Sequence, residues 1–109
     1  MIRESATVTV NNTDTCLIVT INGDIDHHSA RTIRERIDSE LFFYRPPLLV
    51  LNLKNVDFMD SSGLGLILGR QSRAHELGCA FKVINCSPRT RKIFELAGLE
   101  RIVDIVDTE

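Results

Sequence analysis

Apolar and polar positions change their period twice in the first half of the chain. Thr7–Val10 alternates polar and apolar residues, Cys16–Ile21 does so more loosely, and the turn-forming residues Asn11–Asp14 separate them. This pattern predicts two antiparallel strands that form a hairpin. From about Ser29 the apolar residues recur at steps of three and four with charged residues between them, which predicts an amphipathic helix. The apolar residues of this helix are Ala30, Ile33, Ile37 and Leu41.

The middle of the chain continues with a strand and a helix. Leu48–Leu53 is short and almost continuously apolar after Pro46-Pro47, which predicts a central strand buried on both faces. A loop over residues 55–60 follows. Apolar residues then recur at helical spacing from Leu64 to Leu77, and Gly78 is the predicted stop of this second helix.

The remaining elements are shorter. Ala80–Ile84 predicts a strand, and Ser87-Pro88 has the form of an N-cap followed by proline at the first helical position. Gly98 ends this third helix, and Ile102–Val106 predicts a last strand. The predicted inner face of the third helix consists of Ile93, Phe94 and Ala97. The order β-β-α-β-α-β-α-β predicts one α/β domain over residues 1–109, with a mixed β-sheet opened by the antiparallel hairpin and helices packed on the sheet.

The composition argues against several classes of protein. The 109 residues are 43% hydrophobic and 26% charged, as in ordinary globular proteins, and the net charge of −2 provides no field that would attract nucleic acid. No apolar run approaches the roughly 20 residues of a membrane span, and the N-terminal residues lack the apolar segment of a secretory signal. The three cysteines show no paired spacing, so we expect reduced thiols. We therefore expect a cytoplasmic protein that binds neither nucleic acid nor membrane.

A polar loop, Asp24-Ile25-Asp26-His27-His28, precedes the first predicted helix. Its carboxylate and imidazole groups suggest a metal site, but adjacent residues seldom point at a common ion, so we expect no metal. The segment Asp26–Ser29 is also typical of a helix cap, with an acid at the positive end of the helix. Because loops at the carboxyl ends of strands gather at one edge of an α/β sheet, we expect this loop to lie beside the loop that follows the third strand.

That neighbouring loop leads into Asp60-Ser61-Ser62-Gly63-Leu64-Gly65. Either serine is suited to be the N-cap of the second helix, because a hydroxyl can accept a hydrogen bond from an orphan backbone N–H. Two glycines in the first turn cost a helix about 1 kcal/mol each relative to alanine. They either leave a smooth surface that another protein can approach or pack against the sheet, and the sequence leaves both explanations open. We expect Gly69 to let the helix lie close to the sheet.

No enzyme motif accounts for Ser61. A hydrolase nucleophile elbow needs glycine two residues before the serine, where this chain has Met59. A Walker A loop needs a Gly-Lys-Ser/Thr ending, which is absent, and Gly63-x-Gly65-x-x-x-Gly69 has the wrong spacing for a dinucleotide site. We therefore expect no enzyme, no catalytic residue and no cofactor.

Three segments resemble the anti-sigma factor antagonists of the STAS domain family: Gly23–Ala30, Val50–Leu53 and Phe58–Arg70. The likeness runs from about Val8 to Ile102. The Asp60–Leu64 motif is its specific part, since the strand matches alone would be weak. The resemblance implies a STAS-like domain and a switch protein, not an enzyme.

The resemblance also implies a mechanism. In the family, an anti-sigma factor that is itself an ATP-dependent serine kinase phosphorylates the first serine of the motif, which is Ser61 here. The unphosphorylated antagonist binds this kinase and frees the sigma factor. The phosphorylated form dissociates from the kinase, and a PP2C-type phosphatase restores the unphosphorylated form. The segment before the first helix favours a role in sporulation. The predicted partner-binding residues are Asp26, His27, His28, Asp60, Ser61, Ser62, Gly63 and Leu64.

Further expectations concern the residues around this motif. Arg70 and Arg73 are expected on the solvated face of the second helix, and Phe58 and Met59 are expected to be partly buried and to hold the loop. Relatives often continue into a further C-terminal helix, and since this chain stops at Glu109 we expect that helix to be shortened or missing here. The alternative function is a nucleotide- or small-ligand-sensing module that holds a phosphate at the helix start, although Gly63–Gly69 contains no lysine or arginine.

Overall fold

Strands and helices occur in the predicted order in the computed structural model, which describes residues 6–107. The α/β prediction is therefore confirmed. The elements are β1 (Thr7–Asn12), β2 (Leu17–Asn22), α1 (His27–Tyr44), β3 (Leu48–Asn55), α2 (Ser61–Glu76), β4 (Ala80–Ile84), α3 (Pro88–Ala97), a short 3-10 turn (Leu99–Arg101) and β5 (Asp104–Val106). Within the described range, no helix combines the length and apolar character that crossing a membrane requires.

The five strands form one mixed sheet in the order β1-β2-β3-β4-β5. β1 pairs antiparallel with β2 as the predicted hairpin, and all other neighbours pair in parallel. Val19 aligns with Leu51, and Leu51 aligns with Val83, so β3 is the centre of the sheet. Right-handed crossovers between consecutive parallel neighbours place the connecting helices on the same face of the sheet.

A hydrophobic core fills the space between that face and the helices. It takes alternate residues of the strands together with apolar residues of all three helices. These include Leu17, Val19 and Ile21 of β2, Leu49, Leu51 and Leu53 of β3, Ile33, Ile37 and Leu41 of α1, Leu66 and Ile67 of α2, and Phe94 of α3. Val50 and Asn52 point to the opposite face but are only 2% and 7% exposed. The prediction that β3 is buried on both faces is confirmed.

Two predictions about the C-terminal part are wrong. Ile102 is 59% exposed and lies outside the last strand, which begins two residues later. The 3-10 turn explains this difference, because it directs Leu99 and Val103 into the core and leaves Ile102 outside. Ala97 is exposed, so Phe94 is the fully buried apolar residue of α3.

α1 and α2 lie side by side and share an ion pair that the sequence did not predict. Arg70, expected on the solvated face, is only 6% exposed, and its Nε lies 3.2 Å from Oδ1 of Asp38 on α1. The two atoms are not aligned for a hydrogen bond, so their attraction is electrostatic. Burial lowers the pKa of the Arg70 guanidinium, and the Asp38 carboxylate acts in the opposite direction. Arg73 is exposed, as predicted.

We expect Asp38→Ala to lower the free energy of unfolding by about 1–3 kcal/mol, because the buried Arg70 cation loses its counter-ion. Glu35→Ala is the matched control, since it removes the partner of Arg31 from a pair whose side chains are 62% and 78% exposed. There we expect a loss below about 0.5 kcal/mol. Urea denaturation followed by circular dichroism measures both variants. Equal losses would contradict the burial of the Asp38–Arg70 pair.

Candidate functional site

The parallel pairing of β2 and β3 continues beyond the ends of both strands. Ile25 and Met59 form an isolated parallel bridge. The N–H of Ile25 donates to the carbonyl of Phe58 at 3.1 Å, and the N–H of Asp60 donates to the carbonyl of Ile25 at 3.2 Å. The carboxylate of Asp24 accepts a further hydrogen bond from the N–H of Phe58 at 3.1 Å. These bonds hold the loop before α1 against the loop before α2, as the sequence predicted.

Asp26 caps the N-terminus of α1. Its carboxylate accepts the N–H of Ser29 at 2.8 Å, and the hydroxyl of Ser29 accepts the N–H of Asp26 at 3.1 Å. This reciprocal pair is a capping box. It satisfies two backbone N–H groups that have no carbonyl partner within the helix. The cap predicted from the sequence is confirmed. His27 and His28 follow in the first turn of the helix, and both are exposed.

His, Cys, Asp and Glu side chains, the usual metal ligands, are spread over residues 6–107. Within that range, no group of three His, Cys, Asp or Glu side chains is arranged to hold a metal ion. Cys16, Cys79 and Cys86 are free thiols, and Cys79 is buried. Burial raises the pKa of the Cys86 thiol to about 11. Since the thiolate is the nucleophile and the metal ligand, a thiol that stays protonated at neutral pH is poorly suited to either role.

Asp60, and not either serine, caps the N-terminus of α2. Its carboxylate accepts the N–H of Ser62 at 2.8 Å, so the prediction of a serine N-cap is wrong. A carboxylate is favoured at this position because its charge lies beside the positive end of the helix dipole. Ser61 is consequently the first residue of the helix and is exposed. Its hydroxyl makes no hydrogen bond within the described part of the chain.

The glycines of α2 have different roles. A Cβ on Gly63 would lie 2.7 Å from both Cβ and Sδ of the buried Met59, so glycine is what lets the helix pack there. A Cβ on Gly65 would meet nothing within 4 Å. The same is true of Gly69, so the prediction that Gly69 brings the helix close to the sheet is wrong. The two explanations that the sequence left open therefore apply to different residues: Gly63 packs, and Gly65 keeps the surface open.

The predicted partner-binding residues differ in their access to solvent. His27, His28 and Ser61 are exposed, Asp26, Asp60, Ser62 and Leu64 are partly buried, and Gly63 is buried. Gly63 therefore contributes from below the surface, by providing room for Met59. Met59 is 1% exposed whereas Phe58 is 44% exposed, so Met59 is the residue that holds the loop from within.

An open cleft of about 540 Å³ lies between the N-terminal halves of α1 and α2. Its lining includes His27, His28, Arg31 and Arg34 of α1, with Ser62 and Gly65 of α2. Arg31 and Arg34 were absent from the predicted site. They follow His27 at helical spacing, which indicates that they share its face. That this face meets α2 is decided by the packing of the two helices.

Residues 7–109 match the STAS domain over nearly the whole chain. The chain belongs to the STAS domain family. It is 38% identical to the anti-sigma F factor antagonist of Paenibacillus polymyxa, over 85% of this chain and 80% of that protein. It is 34% identical to the anti-sigma-B factor antagonist of Bacillus subtilis strain 168, over 90% of this chain and 88% of that protein.

Solved structures share the fold of this STAS domain. The unphosphorylated form of the anti-sigma factor antagonist SpoIIAA superposes with a TM-score of 0.78 at 29% identity, covering 91% of this chain and 87% of that one. The phosphorylated form of SpoIIAA, a Bacillus cell fate determinant, gives a TM-score of 0.71 at 29% identity, covering 91% and 90%. The STAS-like fold implied by the sequence motifs is confirmed.

In this STAS domain we expect Gly63→Ala to lower the free energy of unfolding by about 1–3 kcal/mol, because the added methyl group collides with Met59. Gly65→Ala is the matched control one half-turn away. It should raise stability by up to about 1 kcal/mol, since alanine favours the helix and its Cβ enters open space. Thermal denaturation compares the two variants. If both were equally stable, the Met59 contact would not explain the glycine.

Proposed function

We propose that this STAS protein is an anti-sigma factor antagonist that acts by partner switching in the cytoplasm. The unphosphorylated form binds an anti-sigma factor that is a serine kinase, and the sigma factor is thereby released. Phosphorylation of Ser61 ends the binding, and a PP2C-type phosphatase restores it. In this proposal the protein receives the phosphoryl group and catalyses no reaction. The sporulation role is proposed from the resemblance of the Asp26-His27-His28 segment.

The position of Ser61 carries the proposal. A kinase must bring the γ-phosphate of ATP in line with the attacking hydroxyl, which requires open surroundings. Ser61 is exposed, and the cap at Asp60 leaves its hydroxyl unused by the fold. Gly65, one turn later on the same face, presents no side chain. Ser62 is less suitable, because it is partly buried in the cleft between α1 and α2.

The neighbourhood of Ser61 supports a continuous partner-binding surface. The Ile25–Met59 bridge brings the first turn of α1, with the exposed His27 and His28, beside the first turn of α2. A protein that covers Ser61 would therefore also touch the α1 segment. The two curated relatives, both named as antagonists of anti-sigma factors, agree with this kind of partner.

The energetics favour release without unfolding. A phosphate on Ser61 adds about −1.5 to −2 charges at pH 7 beside the Asp60 carboxylate. The N-terminus of α2 tolerates this charge and gains about 0.3–1 kcal/mol from it at an exposed site. Inside a protein interface the same group adds bulk, desolvation and like-charge repulsion of several kcal/mol. Since 1.4 kcal/mol changes affinity about tenfold, binding loses far more than folding gains.

We expect a cognate anti-sigma kinase with ATP to place a single phosphate on Ser61. Mass spectrometry of the digested protein locates it. Ser61→Ala should remove the modification and Ser62→Ala should retain it, because the hydroxyl of Ser61 is the exposed one. Phosphate on Ser62 in the unaltered protein, or on neither serine, would overturn the site assignment.

We also expect Ser61→Asp to weaken binding of the kinase at least about tenfold while the fold persists. Isothermal titration calorimetry measures the affinity, and circular dichroism with thermal denaturation measures the fold. The phosphorylated protein should lose more affinity than the aspartate variant, because phosphate carries more charge. Binding as tight as that of the unmodified protein would contradict the switch, and a collapsed fold would contradict release without unfolding.

A further inference from the structure

The cleft beside Ser61 has a neighbour along the line where α1 and α2 meet. A second cleft, of about 320 Å³, lies between the C-terminal halves of the same two helices. It is lined by Asp38, Ser39 and Phe42 of α1, with Arg73 and Leu77 of α2. Both helices follow parallel strands and start at the same edge of the sheet, so the two clefts lie along one line. We call this line the α1–α2 groove.

Small residues of α2 keep the α1–α2 groove open. Ser62 and Gly65 line the first cleft, Arg73 lines the second, and Gly69 lies between them at helical spacing. A Cβ at Gly65 or Gly69 would meet nothing within 4 Å. Packing inside the domain therefore explains neither glycine, and the space above them is accessible to another molecule.

Arginines follow the groove along its length. Arg31 and Arg34 line the first cleft, Arg73 lines the second, and the buried Arg70 lies between them. Burial is the main cause of the lowered pKa of Arg70, and the positive charges of Arg34 and Arg73 lower it further, so each of these two arginines is close enough to repel Arg70. A concentration of cations of this kind is unfavourable within the isolated domain.

Carboxylates near the groove form ion pairs with three of these four arginines. Asp38 lies 3.2 Å from Arg70, Glu35 lies 3.2 Å from Arg31, and Glu76 lies 3.9 Å from Arg73. Arg34 has no ion-pair partner among residues 6–107. Four arginines therefore face three carboxylates along the groove, which leaves one positive charge in excess, at Arg34, on a chain whose net charge is −2.

We propose that the α1–α2 groove binds an acidic segment of the partner protein that covers Ser61. The identity of that partner rests on the proposed function, and the groove extends its contact surface beyond the predicted residues. From Ser62 to Arg73 the groove measures about 16 Å at 1.5 Å per residue, which accommodates about five residues of extended chain. Its cations are spaced along this length and do not converge on one point, which suits several carboxylates on a peptide better than one phosphate.

The groove is coupled to Ser61 by charge. Ser62 lines the groove and Ser61 precedes it, so a phosphate on Ser61 would stand at the groove entrance. Its negative charge would repel the acidic segment and offset the attraction of Arg34. The same electrostatic interaction thus strengthens binding before phosphorylation and promotes release after it.

Two variants test the groove against the anti-sigma kinase by isothermal titration calorimetry. Arg34→Glu reverses the charge of the cation that lacks an ion-pair partner among residues 6–107, and Gly69→Leu adds a side chain to the groove at a position where a Cβ would meet nothing within 4 Å. We expect each to weaken binding about tenfold, with the effect of Arg34→Glu shrinking as salt is raised above about 0.15 M. Arg89→Glu is the matched control, since Arg89 is exposed on α3 away from the groove. Thermal denaturation should show that Gly69→Leu is at least as stable as the unaltered domain, because leucine favours a helix over glycine.

A second measurement does not depend on the kinase. Amide chemical shifts in nitrogen-15 spectra are followed while a synthetic peptide of alternating glutamate and leucine is added. We expect the amides of Ser62, Gly65 and Gly69 to move, and we expect Arg34→Glu to abolish the movement. ATP and a single-stranded RNA are titrated in parallel. Shifts at the groove that are larger for either of them than for the peptide would overturn the proposal.

The outcomes separate this inference from the proposed function. If Ser61→Asp weakens kinase binding but Arg34→Glu and Gly69→Leu bind as the unaltered protein does, the groove proposal is wrong and the proposed function stands. If no kinase binds the unaltered protein, the proposed function is contradicted. The peptide titration then tests by itself whether the groove binds an acidic peptide. Equal losses in Arg34→Glu and Arg89→Glu would also overturn the proposal, because the effect would then reflect overall charge.

Discussion

The backbone pairing between Ile25 and Met59 decides where the candidate site lies. It extends the parallel register of β2 and β3 beyond the sheet through two hydrogen bonds of 3.1 and 3.2 Å. The bridge residues are buried, so the pairing is anchored in the core and protected from competing water. Since α1 and α2 begin within two residues of the bridge, their first turns are held side by side. The cleft, the exposed Ser61 and the histidines of α1 all depend on this arrangement.

Around Ser61, the fold is stabilised by neighbours of the serine. Asp60 supplies the cap, Gly63 makes room for Met59, and Met59 fixes the loop from the core side. The hydroxyl of Ser61 makes no hydrogen bond within residues 6–107 and so does not stabilise the fold. A covalent change at such a position alters the surface and its charge while leaving the supporting contacts in place. This agrees with the occurrence of one fold in both the unphosphorylated and the phosphorylated form of SpoIIAA.

Charge is distributed unevenly over this small domain. Carboxylates serve as caps at the starts of α1 and α2, whereas arginines follow the line along which these helices meet. Arg70 is buried at that contact and attracted by Asp38, while Arg34 and Arg73 repel it. A partner whose charges are opposite to these along the two helices would be held in one orientation. If it bound in another position, like charges would meet, which is unfavourable.

The sequence by itself determined the order of the elements, the cap at Asp26 and the adjacency of the two loops, because hydrophobic period, capping and strand connection are local or follow from the sheet. It also contained the Asp60–Leu64 motif on which the resemblance to the STAS family rests, and the family itself is confirmed. Tertiary structure decided the rest. Arg70 is buried because its counter-ion, Asp38, comes from another helix, and no periodicity within α2 reveals that neighbour. Gly63 and Gly65 look alike in sequence, and only the presence of Met59 beside one of them separates packing from an open surface. Arg34 joins the site in the same way, because the face of α1 that meets α2 is set by the packing of both helices on the sheet.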